Sequence, residues 1–137
     1  NDFLAYTIIE KEKNCPIGSV GCSYYEDLDE VGVTYFIGSE YRGHGYAAEA
    51  VNAYVNYFLT HYNLHRIIAT IKEANKASCK VIEKAGFELF RYKMYKDIGD
   101  EEEQPYNFYI REKNSMNIEY KIVSEKDIPE LAIALSR

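Results

Sequence analysis

With 137 residues, a net charge of −6 and 47% apolar against 28% charged residues, the chain has the content of one globular domain with a real core. The acidic balance argues against a nucleic-acid module working through a basic face. No run approaches the roughly 18 apolar residues of a membrane span, and nothing resembles a signal peptide.

Residues 3–9, Phe-Leu-Ala-Tyr-Thr-Ile-Ile, are strand formers that stop at the polar stretch Glu10 to Asn14. A second run, Ile17 to Tyr25, follows Cys15-Pro16 at once, which predicts a hairpin. The acidic turn Glu26 to Glu30 then leads to a third strand, Val31 to Ile37. From Ala47 the period changes: Ala47, Ala50, Val51, Tyr54, Val55 and Phe58 fall at offsets 0, 3, 4, 7, 8 and 11, a helix with one buried stripe. The short run 66–71 is a strand expected to lie parallel to 31–37. A second helix over Lys76 to Ala85 turns Val81, Ile82 and Ala85 inward and ends at Gly86 in the C′ position. Aromatic-rich strands 87–95 and 105–111 flank Asp97 to Glu103, which is acidic at five of seven positions and reads as a solvated hairpin loop. In the tail, Ile118, Tyr120 and Ile122 alternate with Glu119 and Lys121 as a half-buried strand. Asp127 and Glu130 then make a capping box with Pro129 in the first helical turn. The order is βββ-α-β-α-ββ, then a separate β-α. Cys15, Cys22 and Cys79 are an odd count without metal-ligand spacing, so reduced thiols, a cytoplasmic setting and no metal are expected.

The stretch Gly38 to Ala48 carries the clearest chemistry. It joins a strand to the start of the strongest helix, and Gly43 and Gly45 remove side chains where the backbone turns. Consecutive N–H groups and the positive helix end then converge on one point, an anion site suited to a phosphate or pyrophosphate, with Arg42 at its lip. The bland reading is a tight turn that needs two glycines. The stretch lacks the Gly-Lys-Ser/Thr ending of a P-loop and the third glycine and acidic residue of a dinucleotide fingerprint.

Arg42-Gly-His-Gly45-Tyr-Ala47 resembles the acetyl-CoA-binding signature of the GNAT N-acetyltransferases, Arg/Gln-x-x-Gly-x-Gly/Ala. Downstream, Asn75-Lys-Ala-Ser78 with Val81-Ile-Glu-Lys-Ala-Gly86-Phe87 is similar to that family's second signature, in the same order. The resemblance spans about residues 3–111 and comes nearest to the branch that acetylates the N-termini of ribosomal proteins. It implies an α+β fold: a mostly antiparallel central sheet with one splayed parallel strand pair and flanking helices. It also implies acetyl-CoA as cosubstrate and a primary amine, on a small molecule or a protein N-terminus, as acceptor.

By the same resemblance, backbone N–H groups of Gly43, His44, Gly45, Tyr46 and Ala47, with Arg42, would hold the pyrophosphate. Phe36 and Ile37 would run beside the pantetheine arm through their backbones. The tyrosine that many members use as acid falls at Ile82, which has no proton to give. Ser78 matches the serine of the nearest branch, orienting the sulfur or relaying through water, or else capping the helix. Asn75 would position the coenzyme or a water. The glutamate position of relatives falls at Gly32; Glu30, two residues earlier on the same strand face, is the candidate base acting through water. The acidic loop 97–103 with Tyr92, Tyr95, Tyr106 and Tyr109 would line the acceptor side. A non-catalytic coenzyme-A-binding or regulatory module on the same fold is the alternative.

Relatives open with a strand and two helices ahead of the segment that starts here at Phe3, whereas Met116 to Arg137 resembles that opening. The chain thus divides into an acetyltransferase-like unit, 1–112, and a linker with a β-α unit, 113–137. Circular permutation, a tandem protein cut in its second domain, and exchange of the β-α unit between two copies all account for this. The first strand's place lies about 24 Å from the last strand at about 4.8 Å per spacing. The link Glu112 to Met116 reaches roughly 18 Å, so the tail is expected to dock on another chain or on nothing.

Overall fold

The computed structural model describes residues 5–113, together with the strands Ile122–Val123 and Ala132–Ala134. β1 (Tyr6–Glu10), β2 (Cys15–Tyr25) and β3 (Glu30–Ile37) form an antiparallel meander. Asn14 and Asp29 close its turns at φ of 53° and 55°, a left-handed region that short polar side chains tolerate. The β1–β2 register slips between Ile8 and Ile9, where Ile9 faces Pro16; a proline has no N–H for the ladder, so the irregularity falls where the donor is missing.

Helix α1 (Tyr46–His61) crosses to β4 (Arg66–Lys72), which lies parallel to β3. Helix α2 (Lys76–Lys84) and the antiparallel pair β5 (Glu88–Tyr95) and β6 (Gln104–Glu112) follow. With β7 (Ile122–Val123) and β8 (Ala132–Ala134), the sheet runs β5-β6-β4-β3-β2-β1-β8-β7. Each element expected between residues 3 and 112 occurs, including the parallel pair. The sheet has two unlike faces. Val31, Val33 and Ile37 of β3 and Ile67 and Ala69 of β4 join Val51, Tyr54, Phe58 and Ile82 of the helices in one core. By strand alternation Gly32, Thr34, Phe36 and Thr70 point the other way.

Polar ties hold the helices to this core. Arg111 of β6 donates to Asn52 Oδ1 (2.6 Å), Ala85 O (2.7 Å) and Asn56 Oδ1 (2.6 Å), joining α1 to the end of α2. Gly86, at φ 92°, follows as the helix terminator. The Tyr54 hydroxyl donates to Cys22 Sγ (3.1 Å), and burial pushes the Cys22 thiol up to about 11, so it stays protonated.

The tail differs from expectation. Ala132–Ala134, expected in a helix, is a strand parallel to β1 of the same chain, pairing Thr7 with Ala132 and Ile9 with Ala134. Ile122–Val123 pairs with β8 rather than with β1. The connection that reaches β1 is not the short link ending at Met116 but the 19 residues 113–131 that lead to β8. At about 3.3 Å per residue that reaches about 60 Å, ample to cross the sheet. The expected capping box at Asp127 and Glu130 lies outside the described residues.

Candidate functional site

β3 and β4 pair at Gly32 and Ile68 alone. Beyond that pair the strands part, and a cavity of about 710 Å³ occupies the gap. Because the gap cuts through the sheet, its wall draws on both faces. Tyr35, Ile37 and Ser78 come from the helix side, and Thr34, Phe36 and Thr70 from the other. From residue 33 onward the β3 edge faces the cavity, and a strand edge without a neighbour offers its N–H and C=O groups to whatever lies beside it.

At one end stands the loop read as an anion site. Gly43 and Gly45 both take the left-handed conformation, at φ 84° and 81°, which only glycine adopts without strain. A Cβ built on Gly43 would meet nothing within 4 Å, so the loop fronts open space. Gly45 caps α1, and the first helical bond runs from Glu49 N to Gly45 O (3.2 Å). The loop and first turn, Gly43, Gly45, Tyr46 and Ala47, line the cavity. Arg42 Nε donates to Ile37 O (3.1 Å), which fixes the guanidinium at the cavity wall. The His44 side chain turns away: it stacks on Tyr46 at 5.3 Å, and its Nδ1 lies 3.2 Å from Tyr41 O.

Helix α2 supplies the middle of the site. Asn75 Oδ1 accepts the N–H of Ser78 (3.2 Å), so capping falls to Asn75. Ser78 keeps its hydroxyl for the cavity, where it accepts a hydrogen bond from the Tyr35 hydroxyl (3.1 Å). Burial raises the Tyr35 phenol above its ordinary value, with the bond to Ser78 pulling the other way. Sequence reasoning missed Tyr35. Its alternation with Val33 and Ile37 marks it as core-facing, and the pairing with Ser78 spans 43 residues.

The far end is built by Tyr25, Thr70 and Asp97. The Tyr25 ring covers Gly32, where a Cβ would come within 2.7 Å of Cε1. Its hydroxyl bonds to Thr70, and Thr70 Oγ1 donates to Asp97 Oδ2 (3.4 Å). Asp97 thus brings one carboxylate of the acidic loop to the cavity. Glu30 is not brought there. Arg66 grips its carboxylate through both Nε (3.1 Å to Oε1) and Nη2, and Tyr25 stands over the strand position between Glu30 and the gap. Of the aromatic residues read as acceptor-facing, Tyr95 bonds Asp27 (2.9 Å) and Tyr106 bonds Asp100 (2.6 Å). Tyr109 is buried against Glu83 (3.0 Å), and Tyr92 is exposed.

A parallel pair splayed around a cavity, with a glycine-turned helix start at its mouth, is an architecture for holding an extended, phosphate-bearing ligand. The chain belongs to the acetyltransferase (GNAT) domain family, which matches residues 1–88. It is 32% identical over 81 residues to an uncharacterized N-acetyltransferase, YnaD, of Bacillus subtilis (strain 168), covering 59% of this chain and 48% of that protein. The chain therefore spans about half the length of the curated relatives it matches. A GNAT-family acetyltransferase from Bacillus anthracis superposes with a TM-score of 0.65 at 28% identity, over 76% of this chain and 63% of that one. The ribosomal-protein-S5-alanine acetyltransferase of Vibrio fischeri shares the fold, with a TM-score of 0.65 at 24% identity over 80% of this chain and 61% of that one.

Proposed function

We propose that the protein is an acetyl-CoA-dependent N-acetyltransferase acting on a primary amine. The observation that carries this reading is the cavity through the sheet, with the anion-binding loop at one end and a carboxylate at the other. The residues present fit coenzyme A: two glycines at positive φ, a helix start and Arg42 suit a pyrophosphate, and the open β3 edge suits an extended amide-bearing arm. Backbone groups of Gly43, His44, Gly45, Tyr46 and Ala47 would hold the phosphates, and those of Phe36 and Ile37 the arm.

When bound, acetyl-CoA supplies the acyl group as an activated thioester. The chain's task is then to position an amine, take up its surplus proton and provide one for the departing sulfur. Ser78, on the cavity wall, is the hydroxyl assigned to the sulfur. Asn75 fixes Ser78 through the cap and presents its amide to the same space. Asp97 is the carboxylate assigned to the acceptor's ammonium, entering from the sheet face opposite the helices; Glu30, held by Arg66, is left out of the chemistry. The acidic protein would draw cationic amines at long range, in a salt-dependent way.

Calorimetric titration with acetyl-CoA tests the reading, with Gly45→Glu as control. The wild type is expected to bind and the variant to lose binding, because a carboxylate and a strained φ replace an open N–H cradle. Thiol release with a panel of cationic amines then follows turnover. A folded wild type that fails to bind acetyl-CoA would refute it.

A further inference from the structure

Among the described residues four phenols line the cavity, and three of them are committed elsewhere. The Tyr25 hydroxyl bonds to Thr70 at the far end, Tyr41 pairs with Cys15 Sγ (3.5 Å), and Tyr46 donates to Glu10 Oε2 (3.4 Å). Tyr35 alone turns its hydroxyl toward Ser78, at 3.1 Å. The direction of that bond matters. A serine oxygen that accepts from Tyr35 has its own proton pointing elsewhere, and the N–H behind it is already taken by Asn75 Oδ1. The Ser78 proton is therefore free to address the cavity, and the Tyr35 dipole polarises it in that direction.

Resting on the acetyltransferase reading above, we propose that Tyr35 is the proton source behind Ser78, the two forming a relay that protonates the leaving sulfur. As the C–N bond to the acceptor forms and the C–S bond breaks, Ser78 gives its hydroxyl proton to the sulfur and takes the phenol proton of Tyr35. The proton shed by the amine nitrogen passes to water, and water returns one to the Tyr35 oxygen. The balance is an amide and a free thiol, with no net proton consumed. A serine alone would be left as an alkoxide, far too basic to persist; a phenolate behind it removes that obstacle. Tyr35 acts through Ser78 and is thus a positioning and relay residue rather than one in contact with substrate.

The test uses Tyr35→Phe, which removes one oxygen and leaves the ring, alongside Ser78→Ala and the double variant. Tyr35→Phe is expected to keep acetyl-CoA affinity within a few-fold while kcat falls by about 100-fold, the low end for a general acid. The double variant should lose little more than either single one, since both break the same chain. A second readout needs no turnover: the ultraviolet absorbance of the coenzyme A thiolate, followed against pH in the complex. Donors aimed at the sulfur favour its charged form, so the bound thiol should ionise at lower pH in the wild type than in Tyr35→Phe or Ser78→Ala. Equal thiol ionisation in wild type and Tyr35→Phe, or losses in kcat that multiply in the double variant, would overturn the relay with the acetyltransferase reading intact. A wild type that binds no coenzyme A would overturn both.

Discussion

Asn75 shows how one side chain serves fold and site together. Its amide oxygen accepts the Ser78 N–H and starts α2, while its nitrogen is the end left for the cavity that Asn75 lines. Asn75→Asp keeps an equally good cap and deletes the donor, whereas Asn75→Ala deletes both. The alanine variant should lose about 1 kcal/mol of stability and the aspartate variant almost none, yet both should bind acetyl-CoA more weakly. Thermal melts and calorimetry on the pair separate the two roles; an aspartate variant with wild-type affinity would leave Asn75 as a cap only. The sequence marks both Asn75 and Ser78 but offers Ser78 as the possible cap, because both types suit a helix start and spacing does not choose between them; the structure gives that role to Asn75. Glu30 marks the opposite limit. Strand alternation puts it on the right face, but its tie to Arg66 joins residues 36 apart in the chain, which no local pattern reveals.

The β5–β6 hairpin makes the same point for a whole segment. Its aromatic strands and acidic loop are legible from composition, but composition says nothing about which way the carboxylates turn. Ile98, Gly99 and Glu101 to Glu103 stand in solvent as expected, whereas Asp97 and Asp100 turn back onto the sheet. Asp97 reaches the cavity through Thr70, and Asp100 accepts the Tyr106 hydroxyl (2.6 Å) and pairs with Lys72 (3.0 Å). These partners, the Tyr106 hydroxyl first, then the Asp97 amide and Lys72, hold the Asp100 carboxyl down at about 2. A carboxylate depressed in the folded state stabilises the fold above its unfolded value of about 3.9, and that contribution is lost as pH falls through the folded one. The wild type should therefore lose stability on acidification from about pH 4 to about pH 2 more steeply than Asp100→Asn, which has no charge to lose there. Melting temperatures across that window check it. Parallel slopes would mean that the loop is not fastened through this carboxylate.

Across the molecule, hydrophobic periodicity recovers β1 to β4, both helices and the parallel pairing of β3 with β4, because those elements bury a distinct face, whereas β5 buries none of its residues and is legible only from its aromatic content. Periodicity is silent about the gap between β3 and β4, which is a matter of pairing partners and not of burial. It also misjudges 132–134, where Ala-Ile-Ala suits helix or strand and the open edge of β1 decides. This edge carries the last prediction. Among the described residues the lining of the cavity runs from Tyr25 to Asp97, all of it ahead of the expected boundary at residue 112. A chain ending at Glu112 should keep acetyl-CoA affinity within a few-fold. It should also lose the strand that covers Thr7 to Ile9, and a bare strand edge recruits another chain. The truncated protein is therefore expected to self-associate with rising concentration more than the full chain does, read by light scattering on a sizing column, with charged substitution at Thr7 reversing the effect. Loss of acetyl-CoA binding in a folded 1–112 would place part of the site in the tail. A truncated protein that stays monomeric would mean that β8 is not what protects the β1 edge, and exchange of the tail strand between copies would lose its physical basis.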